Sequence, residues 1–243
     1  VALFVIFISY LLSPTFFDQS NISKKLKSEL QNKFDLNFKF SQSIKYNLFP
    51  RPHFTINEST ILDKQSEISK ISKMKIFISL ENLFSIKNVE IKDLIFENAN
   101  FDLNKKNYNF FINLLNKNFE ESNLIIKNSN IFFRNSNDEI LFINKIIKTK
   151  YYYQKKELKN VLFSENEIFN IPFSMETYFN ADKSKIFSKI NLNLIKLKID
   201  NELSLDKEKK IGNSEFIFNK SKRSANYKIE KNSFNFHIFD KIE

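Results

Sequence analysis

Two histidines, His53 and His237, are the only imidazoles in the chain. An imidazole titrates near neutrality, so either could serve as general base or metal ligand with a carboxylate or nucleophile beside it. His53 follows Pro52, and His237 alternates with Phe236 and Ile238. Those are surface or edge settings, not the neighbourhood of a catalytic set. The acidic pairs Glu120-Glu121 and Asp138-Glu139 sit in loop-like sequence without metal-cage spacing. The absence of cysteine removes thiolate metal sites, disulfides and a thiol nucleophile. A single glycine, Gly212, is too few for a phosphate-cradling loop. Tyr151-Tyr152-Tyr153 ahead of Lys155-Lys156 has the residue types that stack on single-stranded bases, although a strand with one buried tyrosine face fits the run better. The residues therefore predict no catalytic centre, no metal and no cofactor: the chain does not read as an enzyme.

Composition explains part of this. The 243 residues, a length that suits one domain or two, carry a formal charge of +10 and include 33 Asn, 32 Ile and 35 Lys against three arginines. Lys, Asn, Ile and Phe share AT-rich codons, so a skewed genome accounts for the bias. Asn tolerates the left-handed conformation and can stand where glycine usually turns a chain. The positive charge is weak evidence for nucleic acid, whose specific contacts favour Arg, and no nucleic-acid partner is expected. With 42% hydrophobic residues and 29 Phe, the chain has enough apolar surface to build a core.

The first twelve residues, VALFVIFISYLL, are almost wholly apolar. A membrane-spanning helix needs roughly 20 such residues. A truncated anchor fits best, formed by Val1, Leu3, Phe4, Val5, Ile6, Phe7, Ile8, Leu11 and Leu12; the intact gene is then expected to encode a basic segment and more apolar residues upstream. A cleavable signal peptide and a buried core segment are the alternatives, although Ser13 to Phe17 supplies no small-residue cleavage pattern.

Beyond Pro14, Asn21 is a plausible N-cap for an amphipathic helix to about Lys33, with Ile22, Leu26, Leu30 and Phe34 forming one apolar stripe. From Phe34 the period changes to two. Phe34, Leu36, Phe38 and Phe40, then Ile44, Tyr46 and Leu48, then Phe54 and Ile56 alternate with polar residues. Met74, Ile76, Ile78 and Leu80 give the cleanest alternation. Val89, Ile91 and Ile95 follow, then Phe101 and Leu103, and shorter strands run to the end. The step from Leu192 and Leu194 to Leu197 and Ile199 reads as a bulge. Residues 207–213 and 219–223 read as hairpin loops. Asn88–Leu103 and Asn123–Ser136 form a weak repeat at an offset of 35, suited to a stacked β architecture. The fold class is mainly β: an anchor, a short amphipathic helix, and an elongated antiparallel sheet.

The order of these elements carries a resemblance. The apolar segment and helix precede Tyr46-Asn47-Leu48-Phe49-Pro50-Arg51-Pro52 and Phe54-Thr55-Ile56-Asn57. MKIFISLENLFS from Met74 to Ser85 follows, then Val89 to Leu103 and Lys106-Asn107-Tyr108-Asn109-Phe110. This arrangement resembles the N-terminal region of the AsmA-like proteins of Gram-negative envelopes. Leu83-Phe84 stands where that family has a Leu-Leu pair, and Asn109-Phe110 where it has Asn-Trp. Phe34-Asp35 replaces the glycine that usually ends its first helix. The resemblance covers about residues 1–115 and continues only in style beyond.

That resemblance implies three parts: an anchor over 1–17, an AsmA-like region over 18–115, and continuing sheet repeats over 116–243, with the chain a fragment at both ends. It implies a single-pass inner-membrane protein whose bulk lies in the periplasm and whose sheet curls into an open groove. Its partners would be phospholipid acyl chains, the inner membrane and components of the outer membrane. The expected function is lipid transfer between the two membranes and envelope integrity; a scaffold for outer-membrane protein assembly is the alternative. Met74, Ile76, Ile78, Leu80, Val89, Ile91, Phe101 and Leu103 would line the groove. A strand of about seven residues spans about 23 Å, and burying an acyl tail is favourable by about 0.8 kcal/mol per methylene. The same apolar face could instead pack as a closed core.

Overall fold

The computed structural model describes residues 2–64, 66–81, 83–116, 122–157, 159–180, 184–205, 210–219, 221–229 and 234–240. Helix α1 (Ala2–Leu12) is apolar except for Ser9 and the Tyr10 hydroxyl and buries none of its residues. A 3-10 turn over Ser13–Phe16, with Pro14 near its start, leads away from it. Helix α2 (Gln19–Phe34) begins at Asp18, not at Asn21: the Asp18 carboxylate accepts from the Asn21 N–H at 2.9 Å. It ends where Asp35 turns left-handed (φ 57°), donating its N–H to Gln31 O at 3.0 Å while Leu36 N–H reaches Leu30 O at 3.3 Å. This is the work a glycine usually does. Asp can do it because its short polar side chain tolerates the left-handed region.

Among the described residues, fourteen strands form one long open sheet. They are β1 (Asn37–Phe40), β2 (Ile44–Asn47), β3 (His53–Asp63), β4 (Ser66–Ile78), β5 (Ile91–Leu103), β6 (Asn123–Arg134), β7 (Ile140–Gln154), β8 (Lys159–Ile168), β9 (Ile171–Asn180), β10 (Lys185–Leu192), β11 (Leu197–Leu205), β12 (Lys210–Phe218), β13 (Ser221–Ile229) and β14 (Phe234–Asp240). From β3 onward each strand pairs with its successor; β1 and β2 both pair along the outer side of β3. Every pairing is antiparallel except β5 with β6, which is parallel. Parallel neighbours need a crossover, and helix α3 (Tyr108–Asn116) supplies part of it.

The parallel pair corrects the repeat. Leu94 lies beside Leu124, Phe96 beside Ile126 and Phe101 beside Ile131, so the true offset is 30 rather than 35. The unit is LIFENANFDL against LIIKNSNIFF, and both copies place a left-handed Asn at the same point, Asn98 (φ 55°) and Asn128 (φ 48°). Glu58 on β3 joins them (φ 52°). Pairing skips these residues, passing from Asn57–Lys73 to Ser59–Ile71 and from Lys73–Glu97 to Ile71–Ala99. At each the inward side chains change parity: Met74 and Ile76 give way to Ile71 and Ser69, and Leu94 and Phe96 to Ala99 and Phe101, all buried. Ser72 Oγ donates to Asn98 O (3.0 Å), and Ala99 N–H donates to Ser129 Oγ (2.9 Å), tying the kinks laterally.

Other local expectations also move. Leu192 pairs with Leu197 around a 3-10 turn at Asn193–Ile195, with Lys196 left-handed; the parity slip there is a hairpin, not a bulge. Gly212 lies within β12, between Leu203 and Tyr227, and not in a loop. A Cβ on Gly212 would fall 2.0 Å from the Tyr227 ring, so the glycine makes room for that aromatic. Residues 207–209, expected as part of that loop, lie outside the described residues.

Candidate functional site

Register defines one continuous face. Leu94, Leu124, Tyr151 and Leu162 stand side by side across β5 to β8, and the same row runs on through Thr177, Ser188, Asn201, Ser214 and Ala225 to β13. What covers this face changes along the row. Over β1 to β5 it is α2: Ile22, Leu26, Leu30 and Phe34 form one cluster with Phe54, Ile56, Met74, Ile76, Leu94 and Phe96, every one of them buried. Phe110, Phe111 and Leu114 of α3 pack against the same cluster, as do Ile126, Ile131 and Leu162.

The expected groove residues fall into three groups. Met74, Ile76, Ile78 and Ile91 are buried in the cluster that contains α2, as are Val89 and Phe101. In this structure they are packed core and not the floor of an open channel, because α2 supplies the apolar surface that closes over them. Leu103 is half-buried near the end of β5. Leu80 lies beyond β4, 54% exposed. Phe77, on the opposite face of β4, is buried too, stacked on His53 at 4.8 Å and beneath the Arg51 guanidinium at 4.4 Å. Leu94 and Phe96 escaped the sequence reading because a bulge opposite Phe77/Ile78 and the Asn98 kink reverse the parity of β5 twice.

Past α3 the character of the face changes. Met175, Ile190, Ile199 and Phe216 make one partly exposed apolar row, and Phe179 and Leu203 belong to another. Between the rows runs a seam of small polar side chains that bond to one another: Thr177 Oγ1 donates to Ser188 Oγ at 3.0 Å, Ser214 Oγ to Asn201 Oδ1 at 2.7 Å, and Tyr227 OH to the same Asn201 oxygen at 2.8 Å. Nearer the centre of the sheet, Thr149 and Ser164 hydroxyls lie 2.5 Å apart, and Ser164 donates to Asn166 Oδ1 at 2.8 Å. Burial pushes the phenols of Tyr151 and Tyr227 up from their ordinary value, so both stay neutral donors. The opposite face is mixed: Lys75–Glu97 pair at 2.7 Å, Lys222–Glu215 at 2.9 Å and Lys185 contacts Glu202, while the Tyr178 and Phe187 rings stack there at 5.1 Å. The two more exposed pairs, on Lys185 and Lys222, add little stability.

The residues weighed for chemistry are dispersed. His53 is buried rather than at the surface, its Nδ1 2.8 Å from Arg51 O; His237 is exposed on β14. Asp138 and Glu139 close the β6–β7 turn, where the Asn135 side-chain amide donates to Glu139 at 2.7 Å. Glu120 and Glu121 lie outside the described residues. No group of three His, Asp or Glu side chains is arranged to hold a metal among the described residues. Tyr151 is the buried tyrosine of its run.

At the N-terminus, Leu3, Phe4, Val5, Ile6, Phe7 and Leu12 are exposed, while Ile8 and Leu11 are half-buried; Val1 lies outside the described residues. No single helix among the described residues is long and apolar enough to cross a membrane. Ala2–Phe16 and Gln19–Phe34 meet that test only together, with a 90° bend between them, a property shared by broken spans and by signal sequences. No known family model matches this chain, and no curated protein is similar to it in sequence.

Proposed function

We propose that this chain is a membrane-anchored lipid carrier of the AsmA-like kind, in which acyl chains lie along the apolar face of β9 to β13. The observation that carries this reading is that Met175, Ile190, Ile199 and Phe216 all stay partly exposed, although α3 reaches β8 and β9 and its Tyr108 ring lies 4.6 Å from the Lys210 ammonium at the start of β12. A strand of β11's length spans about 30 Å, which suits an acyl tail, and curling of the sheet would make the face a trough. The polar seam offers hydroxyls and an amide to ester groups without choosing among headgroups. Helices α2 and α3 then act as plugs that close the N-terminal end of the trough. The exposed apolar α1 holds the chain at the inner membrane, and the sheet extends into the periplasm.

Photocrosslinking tests this. The full chain carries a photoreactive residue at Ile199, on the apolar face, or at Lys198, on the charged one, and is irradiated in native membranes. The expected result is a lipid adduct from 199 and little from 198. Equal labelling from both, or none from 199 in folded protein, removes the groove assignment; a protein adduct at 199 favours an assembly scaffold instead.

A further inference from the structure

The end of the sheet at which α1 leaves carries apolar side chains from three separate parts of the chain. Phe16 ends the turn after α1, Phe49 sits in the β2–β3 loop, and Leu80 and Phe84 sit in the β4–β5 loop; they are 86%, 82%, 54% and 68% exposed. Their common location follows from register. Asn47 pairs with His53 and His53 with Phe77, and Ile78 N–H donates to Pro52 O at 3.2 Å, so the β2–β3 loop lies beside the exit of β4. Helix α1 is fastened to this end. Tyr10 OH donates to Leu80 O (2.5 Å) and accepts from Leu83 N–H (3.1 Å), Ser13 Oγ donates to Leu83 O (2.9 Å), and Tyr46 OH donates to Leu11 O (2.6 Å). The Tyr10 and Phe84 rings meet edge to face at 4.8 Å.

Four large exposed apolar side chains thus stand at the end of the sheet from which the exposed apolar helix leaves. We infer that this collar seats the end of the sheet on the lipid bilayer that α1 enters, with Phe16, Phe49, Leu80 and Phe84 in the interfacial layer. The inference rests on the reading of α1 as an anchor. Aromatic and leucine side chains are the types that partition into this layer. Lys45 and Lys87 are exposed at the same end and suit anionic headgroups, with Asp18 and Glu81 the acids exposed beside them; Arg51 is occupied by Asp93. A second consequence is orientation: fixing the helix and two loops to the membrane holds the strands at a set angle to it, which a lone helix and a flexible joint would not do.

The chain lacks Trp, so single Trp substitutions report their own surroundings. Four variants of this chain, Phe7→Trp, Phe49→Trp, Phe84→Trp and Phe169→Trp, are reconstituted in vesicles of phosphatidylcholine and phosphatidylglycerol, with and without lipids brominated near the headgroup end of the tail. Phe169 is an exposed control in the β8–β9 turn. All four replace exposed side chains, and a strand-type circular dichroism spectrum checks each fold. Brominated lipid is expected to lower emission about twofold at positions 7, 49 and 84 and to leave 169 unchanged. Quenching at 7 without quenching at 49 and 84 overturns the collar and leaves the anchor standing. No quenching at 7 overturns the anchor and the collar with it. Blue-shifted but unquenched emission at 49 and 84 means that protein covers them, and also overturns the proposal.

Discussion

The two halves of the sheet present the same face to different neighbours. In β1 to β5 that face holds Phe54, Ile56, Met74, Ile76, Leu94 and Phe96 under α2, all at or below 2% exposure. In β9 to β13 the corresponding row is Thr177, Ser188, Asn201, Ser214 and Ala225, flanked by apolar residues that remain partly exposed. A face sealed by a helix gains from being wholly apolar, because each buried large side chain contributes about 1.5–3 kcal/mol. A face that stays partly open gains from hydroxyls and amides that satisfy one another where they are buried. Alternation alone looks the same in both halves; the residue types between the apolar positions are what separate a sealed core from an open surface.

A charge placed in each half gives the largest contrast. Ile76→Asp puts a carboxylate in the sealed cluster with no partner and is expected to cost about 3–5 kcal/mol, whereas Ile199→Asp is expected to cost about 1 kcal/mol, since its carboxylate reaches water. Urea unfolding of the full chain in detergent, followed by the strand signal, compares the two. Equal losses would mean that the C-terminal face is also closed.

Within the open half, Gly212→Ala is expected to cost about 1–3 kcal/mol. The new methyl would collide with the Tyr227 ring and break the bond from its hydroxyl to Asn201. Adding Tyr227→Ala removes the collision, so a double-mutant cycle should show strong coupling between the sites. Additive effects would mean that the ring does not hold the position over the glycine.

Sequence pattern made much of the architecture legible, and the exceptions have physical causes. The α2 stripe, the alternation of β3 and β4 and the strand content all rest on local periodicity, which a chain displays whatever its neighbours are. Which helix covers which strands is non-local, so Met74, Ile76 and Ile78 were readable as a face but not as a covered one. Parity changes at Asn98 and Asn128 were hidden because those residues look like ordinary solvent-facing Asn. The repeated Asn-Ala-Asn and Asn-Ser-Asn carry the signal, which shows at an offset of 30 and not at 35. His53 is buried against the pattern of its own segment because the Phe77 ring stacked on it comes from the neighbouring strand and the Arg51 carbonyl beside its Nδ1 from the preceding turn. Hydrophobicity alone located the exposed side chains of α1, while Phe49 and Leu80 gained meaning only when register placed them at the same end.

The kinks sharpen the comparison further. They fall inside β3, β5 and β6, whereas Ser184, Lys196 and Asn219, the left-handed residues of the β9–β13 region, lie in its turns. Asn98→Val forces a β-branched residue into the left-handed region and is expected to cost about 1–2 kcal/mol; Asn98→Gly is expected to be neutral or slightly stabilising. Thermal unfolding of both variants decides it. A tolerated valine would show that the parity change on β5 does not depend on the left-handed turn.

The smallest effect concerns the seam between the halves, at the start of the parallel β5–β6 pair. Asp93 accepts from the Asn123 side-chain amide at 2.6 Å and pairs with Arg51, joining β5 to β6 and to the β2–β3 loop. Burial pushes the Asp93 carboxyl up, but the bonds from Asn123 and Arg51 outweigh it and hold it below the ordinary value. A carboxyl with a lower pKa in the folded chain than in the unfolded one stabilises the fold at pH values above the unfolded value, about 3.9. That contribution is lost as pH falls through the folded value. Asp93→Asn lacks the titration. The stability difference between the parent chain and this variant should therefore stay flat above about pH 5 and shrink below about pH 4, because only the parent loses an ionised partner for Arg51. Urea midpoints taken from pH 3 to pH 7, on the order of one unit apart, measure it. A difference that does not change across that range would mean that the charge on Asp93 contributes nothing and that its amide-like hydrogen bonding alone joins the two halves.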